Sequence, residues 1–341
     1  MKKVSIKDIA QEMNLSRNTV SKALQGSDEV APHTRERILK KTLSMGYAKI
    51  PEEIKNEIGG LMLSENKKIA IIAKREICEF WNRIVFGITD VLDKTDYSCM
   101  LYFISSEDER DLVLPKEIQN KKVDGIISLS VFSDAYNEKI FECGMPTVFY
   151  DAPVHIRHEK FLADVIIVDG YSSVYRLVSE LVSKRRRNFG FIGDINYCRT
   201  IYDRWRGFKD ALEEHGIPLD LEKCILKHEG VLYYNSESIT RWLDELKELP
   251  DTVICANDDI AIEVLKYFEG KGFSVPQEKA VTGFDDKLNF IGKNPMLTTV
   301  HVDNEYLGKR ILELIMERIR DKEKPYETIC INTSIIYRHS T

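Results

Sequence analysis

Two kinds of hydrophobic spacing alternate along this chain and divide it into two regions. In residues 1–50, apolar side chains recur every three or four positions, which is the spacing of amphipathic helices. From residue 67 onward, short apolar runs such as KKIAIIA, SCMLYFI, PTVFY, VIIV, FGFI and TVICA alternate with helical stretches. Continuous apolar strands separated by helices are typical of a parallel sheet covered on both faces. The pattern predicts a small all-α head followed by a doubly wound α/β body.

The head is predicted to contain three short helices. Ser5 followed three residues later by Asp8 resembles a capping box ahead of the first apolar stripe. After a tight turn, Ser16 is a suitable N-cap for the second helix. The third helix is expected to begin near Pro32 and to end at Gly46, because proline suits a first helical position and glycine a C-terminal cap.

The second helix presents Arg17, Asn18, Ser21 and Lys22 opposite its apolar stripe. Arginine can bind guanine and asparagine adenine through paired hydrogen bonds in the major groove, while serine and lysine serve bases or phosphates. In an isolated helix such a polar face more often meets only water. Two capped helices across a tight turn, with this polar first turn, favour DNA binding.

Charge and composition narrow the class of protein. Residues 1–50 have a net charge of +5 and the remainder −11, the outline of a nucleic-acid-binding head on an acidic body. Apolar residues make up 43% and charged residues 30% of the chain, which excludes collagen-like and wholly disordered classes. We expect a cytoplasmic protein with reduced thiols, because the seven cysteines form no CxxC pair and neither a membrane span nor an export signal is visible.

The segment VSIKDIAQEMNLSRNTVSKALQGSDEVAPHTRERILKKTLSMGY closely resembles the helix-turn-helix of the lactose-repressor (LacI/GalR) family of bacterial transcription regulators. This resemblance implies that Arg17, Asn18 and Lys22 read bases. One departure is Ala31, where the family often has a serine capping the third helix. The DNA-binding set predicted for this chain comprises Ser5, Ser16, Arg17, Asn18, Thr19, Ser21 and Lys22.

Residues 51–66 are predicted to be a linker, and here the resemblance weakens. The family usually continues with a hinge helix that inserts a leucine into the minor groove. This chain instead has three glutamates between residues 52 and 57, Asn56 near the place of the leucine, and a Gly-Gly pair at 59–60. We therefore expect weaker minor-groove contact than in the family. Residues 61–63, Leu-Met-Leu, are either a displaced wedge or, as we favour, an apolar cluster that packs the head onto the body.

Ligands of doubly wound sheets bind beyond the carboxyl ends of the strands, and several polar residues stand there. Alternatively, Asp151 and Asp285 are turn residues, and Asp258 or Asp259 caps a helix. Together they suit a polyhydroxylated ligand, and two aromatic residues after the first strand would cover the apolar face of a sugar. The predicted effector-binding set is Phe80, Trp81, Asp151, Arg204, Asn257 and Asp285.

The segments ANDD, GFDD followed by PMLTTV, and FIGD with RWRGFKDAL resemble effector-domain signatures of the same family, whose fold is shared with periplasmic sugar-binding proteins. The resemblance implies effector contacts at the four polar residues of this set and at Trp81. It also implies a body-to-body homodimer and three crossovers between the lobes, near Asp169, Thr298 and Lys324.

We therefore expect an effector-responsive repressor that binds a pseudo-palindromic operator as a homodimer. The DNA-binding domain is assigned to residues 1–50 and the effector-binding and dimerisation domain to 67–341. Within the body, lobe 1 takes about 67–168 plus 300–323 and lobe 2 about 169–298 plus 325–341.

No cofactor, metal site or catalytic residue is expected, and the protein is predicted not to be an enzyme. His155 and His158 lack a cysteine partner, His228-Glu229 lacks a second histidine, and no phosphate-binding loop occurs. Two alternatives stay open: a solute-binding receptor, and an enzyme on a doubly wound fold with an accessory DNA-binding head.

Overall fold

The computed structural model describes residues 4–27, 29–45, 47, 54, 67–74, 79–154, 161–227, 236–287 and 296–341. The chain divides into two compact units, Met1–Lys68 and Ile69–Thr341, here named the head and the body. Most of the linker, the histidines at 155, 158 and 228, and the predicted cap at Gly46 lie outside the described residues. Across the described ranges, no helix combines the length and hydrophobicity needed to cross a bilayer.

The head consists of three helices, α1 (Ile6–Glu12), α2 (Arg17–Leu24) and α3 (Pro32–Ser44). Ser5 and Asp8 form the predicted capping box of α1, and Ser16 caps α2. The apolar stripes of all three helices meet in one small core formed by Ile9, Ala10, Val20, Ala23, Leu24, Val30, Ile38, Leu39 and Ile54.

The body alternates strands and helices as the apolar runs predict. Its elements are β1 (Lys68–Lys74), α4 (Glu79–Leu92), β2 (Ser98–Ile104), α5 (Ser106–Arg110), α6 (Lys116–Gln119), β3 (Gly125–Ser128), α7 (Asp134–Phe141), β4 (Thr147–Tyr150), β5 (Asp164–Val168), α8 (Tyr171–Ser183), β6 (Phe189–Ile192), α9 (Arg199–Glu214), α10 (Ser236–Glu245), β7 (Thr252–Cys255), α11 (Asp258–Gly270), β8 (Ala280–Thr282), β9 (Thr299–His301), α12 (Asn304–Arg320), β10 (Thr328–Ile331) and β11 (Ser334–Ile336).

Two parallel sheets define the two lobes of the body. The first sheet has the strand order β10-β5-β4-β3-β1-β2 and the second the order β6-β7-β8. Residues of β3, β4, β6 and β7 are buried throughout, because helices cover both faces of each sheet. The predicted doubly wound α/β class is confirmed.

Strand pairing near the C-terminus moves two of the predicted crossovers. β9 pairs antiparallel with β11 and is bridged to the end of β8, so residues 299–301 belong to the second lobe. β10 pairs in parallel with β5, so residues 328–331 belong to the first lobe. The chain therefore passes from the second sheet to the first after His301, three residues from the crossover expected near Thr298, and returns between Ile331 and Ser334, beyond the crossover expected near Lys324.

Two helical stretches of the body bear on the site. Between β2 and β3 the chain forms two short helices, α5 and α6, because Leu112 adopts a positive φ of 56° and Pro115 lacks an amide hydrogen for a continuing helix. After β6, helix α9 begins at Arg199. Arg204 consequently lies in its second turn.

The first lobe is closed by α12, which packs along α4. A Cβ atom on Gly87 would lie 2.1 Å from the carbonyl oxygen of Glu305, and one on Gly308 would lie 2.1 Å from that of Ile84. Because only glycine permits this approach, the two backbones touch directly. At the other end of α12, Arg318 and Asp164 form a fully buried ion pair through two hydrogen bonds of 2.8 Å.

Candidate functional site

The first candidate surface is the start of α2 in the head. The Ser16 hydroxyl accepts a hydrogen bond of 3.0 Å from the Thr19 amide and lies 2.8 Å from the Thr19 hydroxyl. Val20 on the opposite side is fully buried, which fixes the rotation of the helix. Arg17 and Asn18 are exposed in the first turn.

The rest of the predicted DNA-binding set divides into two groups. Ser21 and Lys22 are half-buried, one turn further along the side of α2 that carries Arg17 and Asn18, and the Lys22 ammonium is paired with the Glu29 carboxylate. Ser5 is exposed at the start of α1, where its hydroxyl lies 2.6 Å from the Asp8 carboxylate. The structure thus brings six of the seven residues together on α2 and leaves Ser5 on a different helix.

The second candidate site is in the body, where Asp151 follows β4. This residue is buried, with a φ of 62°. Its carboxylate accepts hydrogen bonds from the Ala152 amide at 2.7 Å and the Thr200 amide at 3.2 Å, and also from the Thr200 hydroxyl. The Arg199 amide donates to the Ala152 carbonyl at 2.8 Å. Asp151 therefore joins the end of a first-lobe strand to the first turn of α9 in the second lobe.

Arg204 lies in the second turn of α9 and is almost completely buried. Its guanidinium carbon stands 3.5 Å from the centre of the Phe284 ring, a close cation–π contact. One terminal nitrogen donates to the Ala256 carbonyl, and the other lies 3.7 Å from the Asp285 carboxylate. The Nε–H is buried and has no hydrogen-bond partner among the described residues. An orphaned buried donor of this kind is costly unless a further group accepts from it.

Three polar residues of the second lobe, Asn257, Asp258 and Asp285, follow the ends of β7 and β8, and Asp285 contacts Arg204. Asn257 caps α11 by accepting a hydrogen bond of 3.0 Å from the Ile260 amide. Burial raises the pKa of Asp285 to about 6, although Arg204 and Lys287 oppose the shift. Burial also raises the pKa of Asp258 to about 7, with a further contribution from the charge on Asp285. Near neutral pH, this cluster can donate as well as accept hydrogen bonds.

An aromatic group of the first lobe, formed by Phe80, Trp81 and Tyr150, reaches the polar cluster through Tyr150. The ring of Trp81 lies 5.1 Å from Phe80 and 5.6 Å from Tyr150, both nearly perpendicular to it. Burial, and then the charges of Asp151 and Asp285, raise the pKa of Tyr150 well above its usual value. The phenol therefore stays neutral beside the two carboxyl groups.

Sequence reasoning missed three contributors to this site. Tyr150 precedes a selected aspartate and ends the strand PTVFY, so its position was a usable signal. Phe284 likewise precedes Asp285 at the end of AVTGF. Thr200 gave no signal, because its contact with Asp151 joins residues 49 positions apart. The N-cap of α11 is Asn257, and not Asp258 or Asp259 as in the alternative interpretation.

Comparison with known proteins identifies both units. The family described as bacterial regulatory proteins, lacI family, matches residues 5–49, and a periplasmic binding protein-like domain matches residues 178–341. The HTH-type transcriptional regulator RegA of Clostridium saccharobutylicum is 27% identical over 339 residues, covering 99% of each chain.

Two solved structures share the fold. A transcriptional regulator CelR–cellobiose complex has a TM-score of 0.70 at 20% identity, covering 99% of this chain and 100% of that one. A LacI family transcriptional regulator from Enterococcus faecium with bound ribose has a TM-score of 0.66 at 25% identity, covering 81% and 98%.

A helix-turn-helix head on a two-lobed, periplasmic-binding-protein-like body defines a DNA-binding transcriptional regulator. This chain belongs to the lacI family of bacterial regulatory proteins. The predicted family is confirmed, and the relatives are named as regulators rather than enzymes.

Proposed function

We propose that this protein is a homodimeric repressor in the bacterial cytoplasm whose affinity for a pseudo-palindromic operator is set by a small polyhydroxylated ligand. The ligand binds between the lobes of the body, against Arg204, Asp285 and the aromatic group. The observation that carries this proposal is the buried Arg204 Nε–H, which lacks an acceptor within the described residues. The Arg204 guanidinium lies 3.7 Å from the carboxyl group of Asp285, whose pKa is raised, and the charge of Asp285 contributes to the raised pKa of Asp258.

DNA recognition is assigned to the exposed first turn of α2. Arg17 and Asn18 have the side chains that pair with guanine and adenine edges, and each such pair discriminates by about 1–3 kcal/mol. Ser16 and Thr19 hold the helix end and have hydroxyls within reach of a phosphate. Ser5, on α1, is assigned a backbone contact that positions the head without reading sequence.

The chemistry of the body site favours a sugar. A hydroxyl group can accept from the Arg204 Nε–H while donating to a carboxylate, and the apolar face of a sugar ring packs against aromatic rings. Asn257 offers a further amide, although its oxygen already caps α11. The ligands named in two similar structures, cellobiose and ribose, are both polyhydroxylated, which supports this class.

The proposed dimer uses the exposed edge of the first lobe. Phe86 is 62% exposed, and Leu101 and Phe103 of the terminal strand β2 are 42% and 41% exposed. The strand SCMLYFI contains no charged residue and no proline, the features that normally protect a sheet edge. A second copy of the chain would cover this apolar face through a two-fold interface and place two heads on one operator.

We infer that the two sites are coupled through the arrangement of the lobes, which Asp151 joins to each other. The factor by which the ligand changes DNA affinity must equal the factor by which DNA changes ligand affinity.

The test is a thermal-shift screen of the full-length protein against free sugars, including ribose and cellobiose. We expect at least one sugar to raise the melting temperature and to change operator affinity in an electrophoretic assay. Arg204→Ala should abolish both effects, because it removes the unpaired donor, while DNA binding without ligand is retained. Lys209→Ala, an exposed cation on the same helix, is the matched control.

A sugar response that survives in Arg204→Ala would place the ligand elsewhere. Chemical conversion of the bound sugar would instead support the enzyme alternative.

A further inference from the structure

An ion pair occupies the surface assigned to DNA. The Lys22 ammonium, near the end of α2, is paired with the carboxylate of Glu29 in the segment before α3. The side chains are 35% and 69% exposed, so both remain accessible to DNA. Lys22 is one of the predicted base-reading residues, and its charge is therefore already partly neutralised within the head.

The local structure holds Glu29 in place. The Ser27 amide donates to the Lys22 carbonyl at 3.1 Å, which folds the chain back against the end of α2. The Glu29 amide donates to the Ser27 hydroxyl at 3.4 Å. Val30, the next residue, is buried in the core of the head. Glu29 is thus anchored on both sides and directed at Lys22.

We infer that Glu29 tunes the DNA affinity of the head, because it competes with DNA for the Lys22 ammonium and weakens the contacts of this lysine. The inference rests on the proposed role of Lys22 at the DNA surface. It assigns to Glu29 an effect on DNA binding that requires no contact between Glu29 and a base.

The relative strengths of the ion pair, a phosphate contact and a base contact determine when Lys22 leaves Glu29. An exposed ion pair favours association by up to about fivefold, so one phosphate of random DNA offers little advantage over Glu29. A matched base edge is worth about fivefold to more than a hundredfold. Lys22 should therefore leave Glu29 at the operator and stay with it elsewhere. Operator binding then includes the full cost of breaking the ion pair, whereas random DNA loses at most its own phosphate contact, so the pair lowers specific affinity at least as much as nonspecific affinity.

A second pair in the head supplies a matched control. The Lys41 ammonium of α3 lies 3.0 Å from the Glu12 carboxylate of α1, with similar side-chain exposures of 36% and 55%. Neither residue lies on α2. Glu12→Gln removes the same charge from the same unit without releasing Lys22.

The experiment measures binding of the full-length protein to a random-sequence duplex as salt is varied. We expect Glu29→Gln to raise affinity about twofold to fivefold at about 0.1 M salt and to steepen the slope of log affinity against log salt by about 0.9 per head. In a Lys22→Gln background the same change should leave the slope unaltered. Glu12→Gln should behave like wild type, and circular dichroism should verify that all variants are folded.

A second measurement uses the duplex that wild-type protein selects from a random pool. We expect specific affinity to rise in Glu29→Gln by at least the factor measured with random DNA, because the operator complex no longer has to break the ion pair. The inference would be overturned if Glu29→Gln left the salt slope for random DNA unchanged, or if Glu12→Gln changed the slope equally. It would also be overturned if Glu29→Gln steepened the slope in the Lys22→Gln background. If wild-type protein instead selects no common sequence, it is the proposed DNA surface that fails.

Discussion

The head and the body place their polar side chains in opposite environments. In the head, Arg17 and Asn18 stand in solvent on a helix whose end is fixed by a cap. In the body, Arg204 and Asp258 are buried, and their hydrogen bonds cross between segments far apart in the chain. An exposed surface can bind a large charged polymer without structural change, whereas a buried cluster responds to a small molecule through its neighbours. Four predictions test this contrast.

The largest effect is expected from Arg318→Ala in the body. This change leaves the Asp164 carboxylate buried without its bidentate partner, which should lower the free energy of unfolding by about 3–5 kcal/mol. Urea denaturation followed by tryptophan fluorescence measures it. Lys247→Ala removes a pair whose side chains are 83% and 71% exposed and should cause no measurable loss. Equal stability of the two variants would mean that burial does not govern these pairs.

Arg17→Ala tests the head without disturbing its core. Because the side chain is exposed, we expect unchanged stability but a loss of about 1–3 kcal/mol of discrimination at one base per half-site. Sequencing of duplexes selected from a random pool gives the base preference. Arg37→Ala removes an exposed arginine on α3. It should leave the base preference unchanged, because the loss of a phosphate contact weakens binding equally for all sequences. An unaltered preference in Arg17→Ala would remove this residue from the proposed surface.

The raised pKa of Asp258 predicts a pH dependence that belongs to the body. Between the ordinary value of 3.8 and about 7, the folded protein holds a proton that the unfolded chain has lost. The free energy of unfolding should therefore fall as pH rises through this range, by at most about 1.4 kcal/mol per pH unit for this group.

Urea denaturation at about pH 5 and about pH 7.5 should show a smaller difference for Asp258→Asn than for wild type. Asp244→Asn is the control, because hydrogen bonds from Lys271 and Tyr267 lower the pKa of that exposed carboxylate and its titration lies below this range. A wild-type pH dependence retained in Asp258→Asn would show that another group carries it.

The smallest effect concerns the N-cap of α2. Ser16→Ala removes the acceptor for the Thr19 amide and should cost about 1 kcal/mol of helix stability. Hydrogen exchange at amides 17–24 should quicken, with no change in the body. Ser16→Thr retains a hydroxyl cap and should exchange nearly as slowly as wild type. Equal exchange in the two variants would mean that the cap contributes little.

Much of the fold was predictable, because its determinants are local. The capping box of Ser5 and Asp8 spans three residues, and the buried strands PTVFY and TVICA are continuous apolar runs. The end of β9 and the pairing of β10 with β5 were not predictable. Residue 328 pairs with residue 165, and only the folded topology brings them together.

The candidate site was predictable in part for the same reason. Asp151, Asn257 and Asp285 follow strands, so a rule about strand ends finds them. The stacking of Arg204 on Phe284 and the contact of Thr200 with Asp151 depend on the packing of α9 against distant loops. The pairing of Lys22 with Glu29 depends on how the chain turns after α2, which residue type alone does not determine.

The glycine contact between α4 and α12 also bears on biosynthesis. Gly87 lies in the first third of the chain, whereas Gly308 and β10, the strand that completes the first sheet, come more than two hundred residues later. The helices of the head need no such distant partner. During translation, the DNA-binding unit can therefore fold early, whereas the first lobe must wait until α12 and β10 have left the ribosome.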